Sequence, residues 1–248
     1  MKGLIIIPTY NERDNIAALI KSIFALPLQH EHTLSIVVID DASPDGTAAI
    51  VHALIPHYPD KLFLIERQNE RGRGSAGIKG FLFCLTQQVD CIIEMDADFS
   101  HDPNYLPLFL DMSSHYDIVI GSRFVQGGND AYRKTYRALL SIVANSLYRV
   151  CLGMRLRDIS SGYKCYRKEV LAQLDFNRFF SKGYPIGMET LYRSYLNEVK
   201  FIEIPIHFKE RHTGISKFIL REAADSLWIV IRLCWKYRIS KLLKTVIN

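Results

Sequence analysis

At 248 residues the chain fits one large domain, or one domain with an appendage, and its apolar and aromatic content is that of an ordinary globular protein. Five cysteines, odd in number and without CxxC spacing, and eight histidines without a ligand pattern argue against a disulfide framework and against zinc, and point to reduced thiols in a cytoplasmic protein. The formal charge of +5 lies entirely in the stretch from Lys217 to Asn248, with seven Lys/Arg against two Asp/Glu; such a tail points to an anionic partner, membrane lipid or nucleic acid, with a solvated helix face as the plain alternative.

Leu4–Ile7 is a continuous apolar run, expected to be a strand buried on both faces. It is too short for the apolar part of a signal peptide, and no window reaches the roughly 18–20 apolar residues of a membrane span. Pro8-Thr9-Tyr10-Asn11-Glu12 follows, then Ile16, Leu19, Ile20, Ile23 and Phe24 at helical spacing, with Asn11 or Asp14 as cap. Ile36–Ile39 is a second strand and ends in Asp40-Asp41-Ala42-Ser43-Pro44-Asp45-Gly46-Thr47; Ala48, Val51, Leu54 and Ile55 suggest the next helix. Leu62–Ile65 is a third strand, and Gly72–Ala76 opens a helix carrying Ile78, Phe81, Leu82 and Leu85. That glycine-rich stretch has neither the P-loop nor the dinucleotide spacing and reads as a helix N-terminus packed near a ligand, or as a plain turn.

The fourth strand, Cys91–Met95, stops in Asp96-Ala97-Asp98. If the backbone stays extended there, both carboxylates share one face, and two adjacent acids call for a cation between them. A divalent ion on oxygen ligands answers that need; capping of a loop is the plain alternative. The strand–loop–helix alternation predicts a parallel α/β sheet with right-handed crossovers, in which ligands bind beyond the carboxyl ends of the strands. The loops Pro8–Glu12, Asp40–Thr47 and Asp96–Asp98 are then expected to converge on one crevice, which capping alone does not explain.

Asp117–Ile120 is a further strand before Gly121-Ser122-Arg123 and the loop Gly127-Gly128-Asn129. Tyr132 to Leu152 reads as a long helix with Leu139, Leu140, Val143, Leu147 and Val150 on its apolar side. Arg133, Lys134 and Arg137 in its first turns oppose the macrodipole, a cost an anionic ligand would offset. Asp158-Ile159-Ser160-Ser161-Gly162-Tyr163 turns into a short strand, Gly187–Leu191 begins a helix, and Ile202–Phe208 makes a last strand before the donor-rich loop Arg211–Lys217. In the tail, Leu227, Val230, Ile231, Cys234 and Trp235 line one helical face, continued by Ile239, Leu242, Leu243 and Val246, among Arg232, Lys236, Arg238, Lys241 and Lys244. A basic, amphipathic, Trp-bearing helix suits a membrane interface; a docked C-terminal helix or a partner helix is the alternative.

Taken in order, Pro8–Glu12, Asp40–Thr47, Asp96-Ala97-Asp98-Phe99-Ser100-His101, Gly121–Arg123, Asp158–Tyr163 and Arg211–Lys217 resemble the family-2 glycosyltransferases of the GT-A fold, and most closely the polyprenyl-phosphate type, the dolichyl- or undecaprenyl-phosphate mannosyl- and glucosyltransferases. The resemblance covers about residues 3–217. It implies an α/β GT-A domain over 1–217 with a mostly parallel sheet; the basic amphipathic tail over 218–248 lies beyond it and, from its charge and apolar face, is expected as an anchor at the cytoplasmic face of a membrane. It implies Pro8, Tyr10, Glu12 and Asp40 or Asp41 at the base and ribose of a sugar nucleotide. Asp98 would be the ligand of a Mg²⁺ or Mn²⁺, with Asp96 supporting it at the ribose or the ion. Arg123, Arg137, Ser141 and Arg211 would face the lipid phosphate or the donor diphosphate, and Lys217 holds the lysine place of R-x-x-G-x-S-K. Departures from the family pattern are Ser100 where Gln is frequent, Asp158-Ile159-Ser160-Ser161-Gly162 for Asp-Pro-Thr-Ser-Gly, and Asn69-Glu70-Arg71-Gly72-Arg73-Gly74 for Gly-Lys-x-Gly-Leu-Gly.

The chemistry so implied is inverting transfer of a hexose from a sugar nucleotide, GDP-mannose first and UDP-glucose next, to a polyprenyl phosphate. The metal acts as a Lewis acid on the leaving diphosphate. A phosphate monoester, with a second pKa of about 6, is mostly a dianion at neutral pH and needs positioning by Arg forks more than it needs a base. Glu189 and Asp158 remain candidates for a base or for orienting the acceptor. Transfer to a sugar or protein hydroxyl, and a non-catalytic sugar-nucleotide or nucleic-acid module, are the other readings; acidic loops over the main face disfavour nucleic acid. A separate membrane subunit is a further possible partner.

Overall fold

The computed structural model describes the chain except residues 30, 69, 131–134, 182, 184, 209–219 and 240–248; the side chains of 135–138, 140, 220–223 and 239 are also outside the described set. Its centre is a seven-stranded sheet of order β3-β2-β1-β4-β6-β5-β7. The strands are β1 (Lys2–Thr9), β2 (Thr33–Asp40), β3 (Leu62–Glu66), β4 (Cys91–Glu94), β5 (Ile118–Ser122), β6 (Lys164–Arg167) and β7 (Phe201–Pro205). All pairings are parallel except the two made by β6, which runs against both β4 and β5. The mostly parallel α/β sheet expected from the alternation is therefore present, with one reversed strand.

Eight α-helices flank the sheet among the described residues: α1 (Arg13–Phe24), α2 (Thr47–Leu54), α3 (Arg73–Thr86), α4 (Leu106–Ser113), α5 (Thr135–Leu152), α6 (Lys168–Ala172), α7 (Ile186–Tyr195) and α8 (Leu220–Cys234). Strand alternation divides the core into two layers. Leu4 and Ile6 of β1 face Phe81 of α3, Leu191 of α7 and Val230 of α8, whereas Ile5 and Ile7 face Ile16 and Ile20 of α1 and Phe109 of α4. α3 approaches β1 closely because Gly80 has no side chain: a Cβ there would lie 2.5 Å from Ile6 Cγ2.

The helices α4 and α6 were not expected from the sequence, and three differences in local boundary bear on the site and the sheet. α1 starts after Glu12, whose carbonyl accepts from the Asn15 and Ile16 amides, so neither Asn11 nor Asp14 caps it. β7 ends at Pro205, short of Phe208, where its ladder with β5 runs out at Ser122; an isolated parallel bridge from Asn129 to His207 follows. β4 ends at Glu94, and the chain bends from Ala97 onward, so the extended backbone assumed for Asp96 and Asp98 is not there.

The apolar side of α5 faces outward, not into the core. Leu139 is 60% and Val150 76% exposed, and Ile142, Val143 and Leu147 are exposed beside them. α8 packs beside α5. Its buried residues are Ile229, Val230 and Leu233, which join the core, while Leu227, Trp228, Ile231 and Trp235 are exposed. Of the face proposed from sequence, Val230 is therefore inside and Leu227, Ile231 and Trp235 outside. The π-turn Trp235–Ile239 extends α8, and Tyr237 there accepts a hydrogen bond from Arg193 of α7 at 2.9 Å. No helix among the described residues is long and apolar enough to cross a membrane.

Candidate active site at the carboxyl edge of the sheet

β1, β2 and β4 end at one edge, with Thr9 opposite Asp40 and Ile6 opposite Glu94. Their loops are tied together there. Thr9 Oγ1 donates to Asp40 Oδ1 at 3.0 Å, the Asn11 amide to Ser43 Oγ at 3.0 Å, the Glu12 amide to Thr47 Oγ1 at 3.0 Å and the Arg13 amide to Asp45 Oδ2 at 3.0 Å. Each of the three loops holds one non-glycine residue in the left-handed region, Asn11 at φ 59°, Ala42 at φ 50° and Phe99 at φ 61°. Such residues cost on the order of 1–3 kcal/mol each and persist where surrounding structure enforces them, commonly at functional edges.

The residues expected at the donor base and ribose divide into two groups. Pro8, near the end of β1, and Tyr10 and Glu12 on the loop after it are partly exposed, with the Arg71 guanidinium 5.4 Å from the Tyr10 ring centre and Glu12 Oε2 accepting from Asn15 Nδ2. Asp40 and Asp41 are buried. Asp40 accepts from Thr9, from the Ser43 amide at 2.8 Å and from Ser43 Oγ at 2.6 Å. Asp41 pairs with Arg67 at 2.5 Å and accepts from the Gly72 amide at 2.7 Å, which ties β2 to the start of α3.

Asp96 and Asp98 lie at this edge but point to different partners. Asp96 Oδ1 accepts from Arg73 Nε at 3.1 Å and Nη2 at 2.6 Å. The cation beside the acidic triplet is thus supplied by the first turn of α3. Asp98 is buried, and its Oδ1 accepts from the Ser100 amide at 3.1 Å and Ser100 Oγ at 2.6 Å. His101 is buried and stacks on Tyr163 at 4.8 Å. Burial lowers its pKa against the pull of Asp96 and Asp98, and its Nδ1 accepts from the Asp96 amide at 3.0 Å.

Arg123 reaches the same edge buried. Its fork holds Asp158, Nε to Oδ2 and Nη2 to Oδ1, both at 2.8 Å, and Nη2 also donates to Ser160 Oγ at 2.9 Å. Burial would raise the Asp158 carboxyl, but the charge and hydrogen bonds of Arg123 outweigh it and hold the group below its ordinary value. Asn145 on α5 bonds Ser160 through both ends of its amide, so α5 is pinned to the Asp158–Tyr163 loop. Ser141 lies one turn earlier on α5, its carbonyl accepting from Asn145 Nδ2 at 2.9 Å. Arg137 is on the first turn of α5 with its side chain outside the described set, and Arg211 and Lys217 lie outside the described residues. Glu189, the other acid considered as a base, is fully buried: it accepts from the Phe180 and Ser181 amides and pairs with Arg193 at 2.7 Å.

Four residues were not singled out from the sequence. Arg73 and Arg67 supply the internal cations of the loops. Glu94 and Lys164 face each other across β4 and β6 beneath the triplet, both buried. Burial raises the Glu94 carboxyl and pushes Lys164 down to about 8, and Lys164 Nζ donates to the Ser161 carbonyl. A signal for this pair existed: each is a charged residue on a strand enclosed by helices on both sides. The signal for Arg73 was the departure at Asn69–Gly74.

Among the described residues no group of three or more His, Cys, Asp or Glu side chains forms a cage for an ion. The partly exposed Asp96 and the buried Asp98 beside it are hard oxygen donors of the kind that Mg²⁺ or Mn²⁺ takes together with water and diphosphate oxygens. Asp98 and Asp96 are the residues that would hold it.

The model of glycosyl transferase family 2 matches residues 4–175. A polyprenol monophosphomannose synthase of Mycolicibacterium smegmatis is 39% identical over 218 residues, 87% of this chain and 80% of that protein. An undecaprenyl-phosphate mannosyltransferase of Micrococcus luteus is 38% identical over 88% of this chain and 87% of its own length. A dolichol-phosphate mannosyltransferase of Pyrococcus furiosus is 37% identical over 98% and 67% respectively. Among solved structures, glucosyl-3-phosphoglycerate synthase of Mycobacterium tuberculosis, in complex with Mn²⁺, uridine diphosphate and phosphoglyceric acid, superposes with a TM-score of 0.68 over 94% of this chain and 78% of that one; at 17% identity this carries the GT-A fold alone. With the family's match spanning β1 through β6 and three relatives at 37–39% identity over most of its length, the chain belongs to glycosyl transferase family 2.

Proposed function

We propose that this glycosyltransferase moves mannose from a sugar nucleotide, GDP-mannose first, to the phosphate of a polyprenyl phosphate with inversion at the anomeric carbon. The observation that carries the reading is the identity of 37–39% to three polyprenyl-phosphate mannose enzymes over most of this chain. In this reading Pro8, Tyr10, Glu12, Asp40 and Asp41 shape the base and ribose subsite, the two aspartates by holding its loops. Asp98 and Asp96 would hold the divalent ion, which would supply Lewis-acid stabilisation of the leaving diphosphate. Arg137, Ser141, Arg211 and Lys217 position the acceptor phosphate. Arg123 keeps the Asp158–Tyr163 loop against α5, and so sets where Ser141 stands.

The state of the two candidate bases supports a phosphate acceptor over a hydroxyl. Asp158 is spent on Arg123, and Glu189 on Arg193 and two backbone amides. A hydroxyl nucleophile needs a base within hydrogen-bond reach, whereas a phosphate dianion attacks unaided once aligned. The assay is transfer of labelled mannose from GDP-mannose, against UDP-glucose, to a short polyprenyl phosphate with Mn²⁺, Mg²⁺ or chelator. Transfer that requires the ion is expected; absence of metal-dependent donor turnover would overturn the reading.

The outward apolar sides of α5 and α8, with Arg149, Arg232 and Lys236 around them, support a membrane-surface location. Five free thiols support a reducing, cytoplasmic side. Replacing Trp228 and Trp235 together by Glu is expected to weaken binding to anionic liposomes by at least about tenfold, given the apolar area the two rings would insert. Turnover of a short, soluble acceptor is expected to stay unchanged in that variant; unchanged liposome sedimentation would instead assign attachment to a partner subunit.

A further inference from the structure

The Arg73 side chain lies in the middle of the acidic edge, and its place is built. Its Nη2 is 2.6 Å from Asp96 Oδ1, and a Cβ on Gly162 would come within 2.9 Å of that same nitrogen and 3.6 Å of Asp96 Oδ2. The glycine of the Asp158–Tyr163 loop thus leaves the room in which guanidinium and carboxylate meet. Both side chains are largely shielded from water, Arg73 being 19% and Asp96 24% exposed, so their charges are only partly screened. The peptide between them is fixed as well, since the Asp96 amide donates to His101 and Asp98 is held by Ser100.

We propose that Arg73 is an internal counter-cation that makes ion binding at Asp96 and Asp98 conditional on the nucleotide. The inference rests on the reading of these two aspartates as the divalent-ion site. Arg73 already neutralises one of the two carboxylates, and its positive charge repels a second cation placed beside Asp96. The edge alone therefore offers a divalent ion little net negative charge. A nucleoside diphosphate supplies that charge and also accepts the Arg73 fork, which suits phosphate oxygens as it suits carboxylates. The ion and the donor then bind with strong mutual coupling, and linkage requires each to raise the affinity of the other by the same factor. Arg73 acts here as a positioning residue through Asp96, with the charge of its side chain as the active property.

The test is Mn²⁺ binding to the whole chain, followed by the loss of the free-ion electron paramagnetic resonance signal, with and without GDP. In the wild-type chain Mn²⁺ alone is expected to bind weakly and GDP to tighten it strongly. Arg73→Gln keeps a donor to Asp96 and removes the charge; it is expected to bind Mn²⁺ alone about tenfold or more tightly than wild type and to lose most of the GDP coupling. Arg73→Lys keeps the charge without the fork and is expected to leave Mn²⁺ alone bound as weakly as in wild type while losing part of the GDP coupling, a split that a merely structural role for the side chain would not give. Wild-type Mn²⁺ affinity in a folded Arg73→Gln chain, with GDP coupling intact, would overturn the role of Arg73 and leave the two-aspartate site standing. Absence of Mn²⁺ binding in every form, even with GDP, would overturn both. Should Arg73→Gln fail to fold, Arg73→Lys decides: Mn²⁺ alone bound about tenfold or more tightly in that charge-retaining variant would overturn the proposal.

Discussion

Asp98→Asn is expected to reduce mannosyl transfer by about a thousandfold or more while leaving the fold intact. The carboxamide oxygen can still accept from the Ser100 amide and hydroxyl, which Asp98 Oδ1 now does at 3.1 Å and 2.6 Å, so the bend after β4 keeps its anchor. What is lost is the negative charge that would hold a divalent ion against the leaving diphosphate, a contribution worth several kcal/mol to the transition state. The measurement is kcat for transfer from GDP-mannose at saturating Mn²⁺, beside a thermal melt. Retained transfer with an unchanged metal requirement would remove Asp98 from the ion site. Asp96→Asn serves as a comparison: it breaks the charge pairing with Arg73, so its loss of activity should be accompanied by a change in nucleotide binding.

The second large effect is on stability. Arg123→Leu is expected to destabilise the chain by about 3–5 kcal/mol, because it strands a fully buried Asp158 without its cation. Against total stabilities of about 5–15 kcal/mol for a domain, that is a substantial share. The pH dependence gives a sharper sign. In the wild-type chain Asp158 is held below its ordinary value of 3.8. It therefore contributes stability that is present above 3.8 and is lost as pH falls through its folded value. With the Arg123 charge gone, burial is opposed chiefly by Lys164 and is expected to raise the carboxyl, so Asp158 would favour the folded state when protonated and lose that contribution as pH rises above its unfolded value. Urea unfolding of the two chains between pH 4 and 7 should show the gap between them widening with pH. A gap that stays constant or narrows would mean that Arg123 does not carry the Asp158 charge. Adding Asp158→Leu to Arg123→Leu should recover part of the loss, as expected when two coupled groups are removed together.

Much of the site was legible because it is written in local pattern. The runs Leu4–Ile7, Ile36–Ile39 and Cys91–Met95 each end in a polar or acidic loop, and the alternation with helices places those ends on one edge of a parallel sheet. Which charges meet at that edge was not legible. Arg73 and Asp96 are 23 residues apart and Arg123 and Asp158 are 35 apart, and no periodicity links such pairs. The two acids held open as bases illustrate the point: Asp158 and Glu189 look equally available in sequence, and only their buried partners show that each is already engaged.

The helices carry the same lesson in another form. The spacing of Leu139, Val143, Leu147 and Val150 gives α5 an apolar side, and the spacing of Leu227, Val230, Ile231, Cys234 and Trp235 gives one to α8. Periodicity identifies an apolar side but not what covers it. In the folded chain the sheet is covered by Leu152 of α5 and by Ile229, Val230 and Leu233 of α8, which leaves Leu139, Val143, Val150, Trp228 and Trp235 facing out. The sequence by itself determined the strands, their order of function-bearing loops and the family to which they point, because burial on both faces and acidic strand ends are properties of short stretches. Only the tertiary structure decided that Arg73 sits on Asp96, that Arg123 belongs to Asp158 and that two helices turn apolar sides outward, because each depends on which distant surfaces meet and how much charge and apolar area remain once they do.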